Sequence, residues 1–398
     1  MKFALIVLLF TLSFISQAKV WEATKNWDSA AETSWQEWIK STSVQKDFFT
    51  KDGPWQGLKL DCADTVYALR IIFAYENKLP FKIASGVSNQ STIVDKKVAG
   101  LPRVRALIEY VAENNGTLDL AQNDSFPVAI NDIKSGDIYV TEWRLNNQPV
   151  RHSHVIKEVS PFGYFHLIYG TTPAQSRVMS EIFGMPLTSL EGAPWGFKRF
   201  RLPQEYGKTP KSQSFEQYDI LGRTGPDLFF DEIQKILEKT PEGIGNRIDR
   251  QMKNLCGLLS SRTDLVKESV DYVQSIGGRC VDAKEFDLYS TTTRDSRIVS
   301  GIKMLRHDWE RLSTEGGFHE ASMVHQMAMD YLTGMDRSEY ARKQLLSLCS
   351  IDTQIAKDMD IKTFYDLFQN DMISSHPNDP ANIRWGEAGI RTECKSYY

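Results

Sequence analysis

Residues 54–75 read PWQGLKLDCADTVYALRIIFAY, and this stretch carries the defining signal of the fold. From Ala63 onward, Val66, Leu69, Ile72 and Phe73 recur at helical spacing with no Gly or Pro between them, which predicts a helix. Asp61 precedes it as an N-cap, so Cys62 falls in the first turn. There the unpaired N–H groups and the positive end of the helix dipole favour a thiolate, the form of cysteine that acts as a nucleophile. The competing assignment is a small core cysteine, because free Cys packs as a small hydrophobe.

Outward from this stretch, the length of 398 residues suggests two domains. Residues 1–18, MKFALIVLLFTLSFISQA, place one Lys before an apolar run from Phe3 to Ile15 and end on Ser16-Gln17-Ala18. That is the pattern of a secretory signal peptide cleaved after Ala18, with an uncleaved anchor as the alternative. No later stretch approaches the ~18 apolar residues of a membrane span, so the mature chain is expected to be periplasmic or secreted, without one. The 47 basic and 51 acidic residues form no basic block, and no nucleic-acid partner is expected.

Cysteine usage agrees with export. Of the five cysteines, Cys256, Cys280, Cys349 and Cys394 lie beyond residue 250, whereas Cys62 stands alone upstream. An odd count in an oxidising compartment leaves one thiol over. Two disulfides among the downstream four, with Cys62 free, is the economical assignment. Sequential pairing, Cys256–Cys280 and Cys349–Cys394, is the simplest of the three connectivities, among which sequence does not choose.

Along the chain, residues 19–50 are helical in composition and carry Trp21, Trp27, Trp35 and Trp38, which are expected to pin an N-terminal helix to the body. A second helix is predicted over 104–113. After Pro127 the hydrophobic period changes from helical to two. Strands are predicted at 138–141, 154–159, 164–169 and 196–202, with a loop over 144–151 and a hairpin turn at 160–163. A polar, Pro- and Gly-containing linker at 206–218 separates this region from a helical one, with helices at 227–239, 245–259, 263–276, 294–312, 321–332, 338–348 and 361–370. The expected organisation is therefore a signal peptide (1–18), an α+β domain (19–205), a linker (206–218) and an all-α domain (219–398).

A cysteine hydrolase needs an imidazole beside its thiolate and a third group to orient that imidazole. His154 opens a strand after the Gly136-Asp137 turn, and His166 lies across the hairpin, where the two are expected to meet as cross-strand neighbours. His152 lies on the same strand face and is a rival base. Trp55, just upstream of Cys62, either walls a substrate cleft or belongs to the core. Asp61 either binds a substrate amine or caps the helix.

Taken together, Trp55-Gln56-Gly57, Asp61-Cys62-Ala63-Asp64, Gly136-Asp137-Ile138, His154-Val155 and His166 resemble, in order and spacing, the NlpC/P60 family of cell-wall peptidases. The resemblance covers residues 50–170. It implies a papain-like catalytic domain in which a Cys-bearing helix packs on an antiparallel sheet. It further implies Cys62 as nucleophile, His154 as general base, His166 as the orienting residue, and a peptidoglycan peptide amide as substrate. Ala63-Asp64 replaces the family's Ser-Gly where the substrate's amino end is read, so Asp61 and Asp64 are candidate substrate contacts of altered specificity. A CHAP-type amidase, a transglutaminase, an acyltransferase or a catalytically silent wall-binding protein are the other readings. The helical domain is expected to position the wall polymer, bind a partner protein or cover the cleft. No cofactor or metal is expected: no P-loop or dinucleotide fingerprint occurs, and His319 and His325 stand six apart, which misses H-E-x-x-H.

Overall fold

The structure is a computed structural model that describes residues 19–92, 100–145, 148–186, 188, 190–315 and 317–397; the expected signal peptide lies outside them. Six strands form one antiparallel sheet: β1 (Ser125–Pro127), β2 (Ile138–Leu145), β3 (Gln148–Val159), β4 (Phe165–Tyr169), β5 (Ser180–Gly184) and β6 (Gly196–Phe200), in the order β1-β6-β2-β3-β4-β5. The expectation of an α+β chain holds. The predicted loop at 144–151 is instead strand on both sides, with β2 running to Leu145 and β3 starting at Gln148. The short strands β1 and β5 escape prediction. Pro127 sits in an edge strand, where its missing N–H breaks no ladder.

The helices before the sheet are α1 (Ser29–Lys40), α2 (Cys62–Glu76), α3 (Leu101–Asn114) and the single turn α4 (Thr117–Asp119). α2 is buried at every residue from Cys62 to Ala74, because it lies on β3 and β4 with α3 against it and the N-terminal tryptophans over it. A helix covered on all sides needs apolar residues all round. Its one cation, Arg70, stacks 3.7 Å from the Trp27 ring and pairs with Glu32 at 2.8 Å. The indole N–H groups of Trp21 and Trp27 donate to the carbonyls of Leu79 and Pro80, and Trp35 donates to Gly136. Gly136 has φ 85°, and a Cβ there would fall 2.1 Å from the Trp35 ring nitrogen, so the turn into β2 requires glycine. Lys157, on the β3 face that meets α1, donates to the carbonyls of Ile39, Ser41 and Val44 and closes the C-terminal end of that helix.

Beyond β6, α5 (Glu216–Leu237) breaks at Gly225 and Pro226. Sequence assigned this segment to the helical domain, but its Ile220, Phe229, Ile233 and Leu237 join the core of the sheet. Gln217 accepts from Phe197 N–H (2.8 Å) and donates to Phe197 C=O (2.9 Å), taking the place of a neighbouring strand. The boundary between the two cores therefore falls between Leu237 and Ile248, not at residue 219.

The helices beyond are α6 (Ile244–Ser275), α7 (Ala283–Tyr289), α8 (Thr292–Glu315), α9 (Met323–Thr333), α10 (Glu339–Leu348), α11 (Ile361–Gln369) and α12 (Ala381–Arg384), of which α6, α8, α9, α10 and α11 supply the second core. The two helices predicted between 245 and 276 are one continuous helix, because no residue within it interrupts the spacing of Ile248, Met252, Leu255 and Leu259. At the centre, fully buried Arg262 pairs with Asp295 at 2.5 Å. The disulfides are Cys256–Cys349 and Cys280–Cys394, not the sequential pairs: α10 ends against α6, and the C-terminal tail returns to the loop after α6. Their presence fits an oxidising, non-cytoplasmic compartment. Among the described residues, no helix is long and apolar enough to cross a membrane.

α6 also docks on the edge strand β5. Asn254 accepts from Phe183 N–H (2.5 Å) and donates to Phe183 C=O (2.8 Å), repeating the Gln217 device at the other side of the sheet. Arg177–Glu268 (2.9 Å) and Arg250 over the Tyr164 ring (3.7 Å) complete the junction.

Candidate functional site

Cys62 is the first residue of α2 and is the chain's free cysteine. Asp61 and Asp64 close a reciprocal capping box: Asp61 accepts from Asp64 N–H (3.1 Å), and Asp64 accepts from Asp61 N–H (2.9 Å). Both candidate substrate contacts are thus engaged in holding the helix start. The Cys62 sulfur lies 3.6 Å from Thr117 Oγ1, and Ser153 of β3 is close enough to act on its pKa, although the Ser153 hydroxyl is itself buried without a hydrogen-bond partner. Burial pushes the thiol above its ordinary pKa, and the Asp61 carboxylate pushes it further; the neighbouring Thr117 and Ser153 act in the opposite sense without reversing the shift. The expected thiolate is therefore a neutral thiol. The helix end that favours charge is outweighed by desolvation and an adjacent anion.

β3 sets which side chain meets that thiol. Successive residues of a strand face opposite sides, and Ser153 is the one directed at Cys62. Val140 opposes it on β2, and beyond β4 the chain continues as Gly170, where a Cβ would fall 2.3 Å from the Asp61 carbonyl. Only glycine admits this approach of the sheet to the helix start.

His154 faces the other way. Its ring lies among those of His152 (4.4 Å), Tyr169 (4.8 Å) and Tyr139 (6.2 Å), on the side of the sheet where Phe230 of α5 packs. Its Nδ1 is buried without a hydrogen-bond partner. Burial first, and His152 second, hold its pKa well below the ordinary value. His152 is likewise pushed down to about 3 by burial, then by Arg297. Neither imidazole reaches Cys62, so the expected Cys–His pair is not assembled.

The remaining expectations are corrected in the same way. His166 does not orient His154: the hairpin turns about residue 162, so His166 stands opposite Glu158 and Tyr169 opposite the His154 position. His166 instead bonds Glu181 at 2.9 Å and stacks on Phe183 at 4.3 Å. Trp55 is core, not a cleft wall. Its Nε1 donates to Glu76 at 2.9 Å, at the end of α2 away from Cys62 and about 20 Å along the helix.

Sequence reasoning missed Thr117, which touches the sulfur, and Ser153, which faces it from β3. Ser153 was legible only as the residue between two histidines. Thr117 carried no signal, since its place beside Cys62 depends on the path from α3 through α4. Comparison of the chain with family models, with curated proteins and with solved structures gives no match.

Proposed function

We propose that the chain is an exported protein of papain-like layout that binds the peptide of bacterial peptidoglycan without cleaving it. The order of the Asp61-Cys62, Gly136-Asp137 and His154-Val155 segments supports the layout and the substrate class. So does the placement of α2 on an antiparallel sheet with Cys62 at its start. The observation that carries the absence of turnover is Ser153 in the position where a hydrolase needs an imidazole. A base must lie about 2.6–3.2 Å from the proton it takes and have a pKa near the working pH. The Ser153 hydroxyl, buried without a hydrogen-bond partner, is no such base, and a neutral, buried thiol is a poor nucleophile.

Cysteine hydrolysis is the second reading, favoured by the histidines on both sides of Ser153. A one-residue shift of β3 would turn one of them toward the thiol. Incubation of the mature protein with purified peptidoglycan separates these. Co-sedimentation without release of muropeptides, unchanged by His154→Ala, is the expected result. Release of fragments, lost in both Cys62→Ala and His154→Ala, would put the hydrolase in its place. Failure to co-sediment would remove the wall polymer as ligand.

A further inference from the structure

A nucleophile–base–acid arrangement stands in the helical half, on elements other than those around Cys62. Ser322 precedes α9, with its Oγ 3.0 Å from Nδ1 of His325. The other ring nitrogen, Nε2, lies 2.8 Å from Oδ1 of Asp249 on α6. A carboxylate only accepts, so the ring proton resides on Nε2 and the lone pair of Nδ1 is directed at the serine hydroxyl. This is the proton order of a hydrolytic triad, with the two imidazole nitrogens exchanged. We propose that Ser322, His325 and Asp249 form a serine acyl-transfer site that hydrolyses small, exposed esters.

Capping alone accounts for one contact here, the 3.2 Å bond from His325 N–H to Ser322 Oγ. It does not require the His325 ring to turn back onto the hydroxyl, nor a carboxylate from a helix 76 residues away to hold the opposite nitrogen. The surroundings suit an incoming ester. Ser322 is exposed, whereas the His325 side chain is only 12% exposed and so is held in one orientation. Gly245 lies beside the ring, where even a Cβ would be 3.6 Å from Nδ1, so glycine leaves this side open. Met323 and Val324, 75% and 38% exposed, offer an apolar surface for a short acyl chain. The first-turn N–H groups of α9 supply donors at the same end for a developing oxyanion.

In the first step Ser322 Oγ bonds to the ester carbonyl carbon while its proton passes to Nδ1 of His325. The alkoxide departs as the C–O bond breaks and takes that proton, leaving an acyl-serine and the alcohol. Water then attacks the acyl carbon, gives one proton to Nδ1, and the carboxylic acid leaves as Oγ recovers the proton. Asp249 stays ionised throughout and stabilises the transient imidazolium.

The test uses the full mature chain with p-nitrophenyl acetate and a fluorophosphonate probe, the label being located by peptide mass spectrometry. Ser322→Asn is the informative variant, because Asn caps a helix as well as Ser does but offers no hydroxyl. The expected results are a fluorophosphonate adduct on Ser322, loss of adduct and ester turnover in Ser322→Asn, and a fall of about a hundredfold in His325→Gln. Absence of an adduct on Ser322, or turnover equal to wild type in Ser322→Asn or His325→Gln, would overturn the proposal and leave Ser322 as a cap.

Discussion

The residue of β3 that faces the Cys62 thiol across the helix–sheet interface is Ser153, its hydroxyl buried without a hydrogen-bond partner, and not the histidine next to it. Thr117, 3.6 Å away, completes the polar contacts of the sulfur. The thiol is therefore bonded by the Thr117 hydroxyl and shielded from water, while the imidazoles of His152, half-buried, and His154, buried, pack together on the far side of the same strand.

Asp61 raises the Cys62 pKa by its charge, second only to burial. Asp61→Asn removes the charge and keeps an N-cap of equal quality. The midpoint of Cys62 alkylation against pH is expected to move down relative to wild type, with little change in thermal stability. An unmoved midpoint would take Asp61 out of the electrostatics of the thiol.

Asp64 is held up to about 7 against an ordinary 3.8, by burial and then by the Asp61 charge. A carboxyl whose folded pKa exceeds its unfolded one adds stability that is fully present below the unfolded value. That stability is lost as pH rises through the folded value. Asp64→Asn is thus expected to flatten the decline in unfolding free energy between about pH 4 and pH 7. Urea titrations across that range, wild type against variant, measure the difference in slope.

How much of this was legible follows from the kind of signal each feature leaves. α2 was readable to within a residue at its start, because Asp61 marks the cap and the apolar residues keep helical spacing. The β3–β4 hairpin was readable from its period of two and its Pro161–Gly163 turn. The direction of His154 was not: His-Ser-His shows that a strand alternates but not which phase meets the helix, and one residue reverses every side chain. The centre of the β3–β4 turn, which puts His166 opposite Glu158 and away from His154, is not fixed by composition to within a residue or two. Gln217 and Asn254 likewise read as ordinary surface amides, although each bonds both backbone groups of a sheet residue and so decides where α5 and α6 lie.

At Gly170 an added methyl group has no free space. The Asp61 carbonyl and Thr65 Oγ1 would lie 2.3 and 2.4 Å from it, and the first of these is backbone. Gly170→Ala is expected to destabilise the fold by about 1–3 kcal/mol, read as a lower midpoint in chemical denaturation. A loss below about 0.5 kcal/mol, the size of an ordinary surface change, would contradict the close approach of sheet and helix.

In the helical half, Asp295 bonds Arg262 (2.5 Å), Thr291 (2.7 Å) and Ser375 (2.7 Å), all within the second core. Asp295→Ala leaves Arg262 buried without its counter-charge and is expected to cost about 3–5 kcal/mol. Separately, Cys256→Ser with Cys349→Ser opens a link spanning 93 residues. The chain-entropy account gives that link a value of about 4–5 kcal/mol. Guanidinium unfolding monitored by circular dichroism measures both.

The state of the Cys62 thiol is most directly read by iodoacetamide alkylation of the folded mature protein near pH 7, followed by intact mass. The other four cysteines are in disulfides, so one added carbamidomethyl group reports on Cys62 alone. A buried neutral thiol facing Ser153 should remain unlabelled while the denatured, unreduced chain takes up one group. Rapid labelling of the folded chain that disappears in His154→Ala would mean that an imidazole does reach the sulfur, and would contradict the arrangement described.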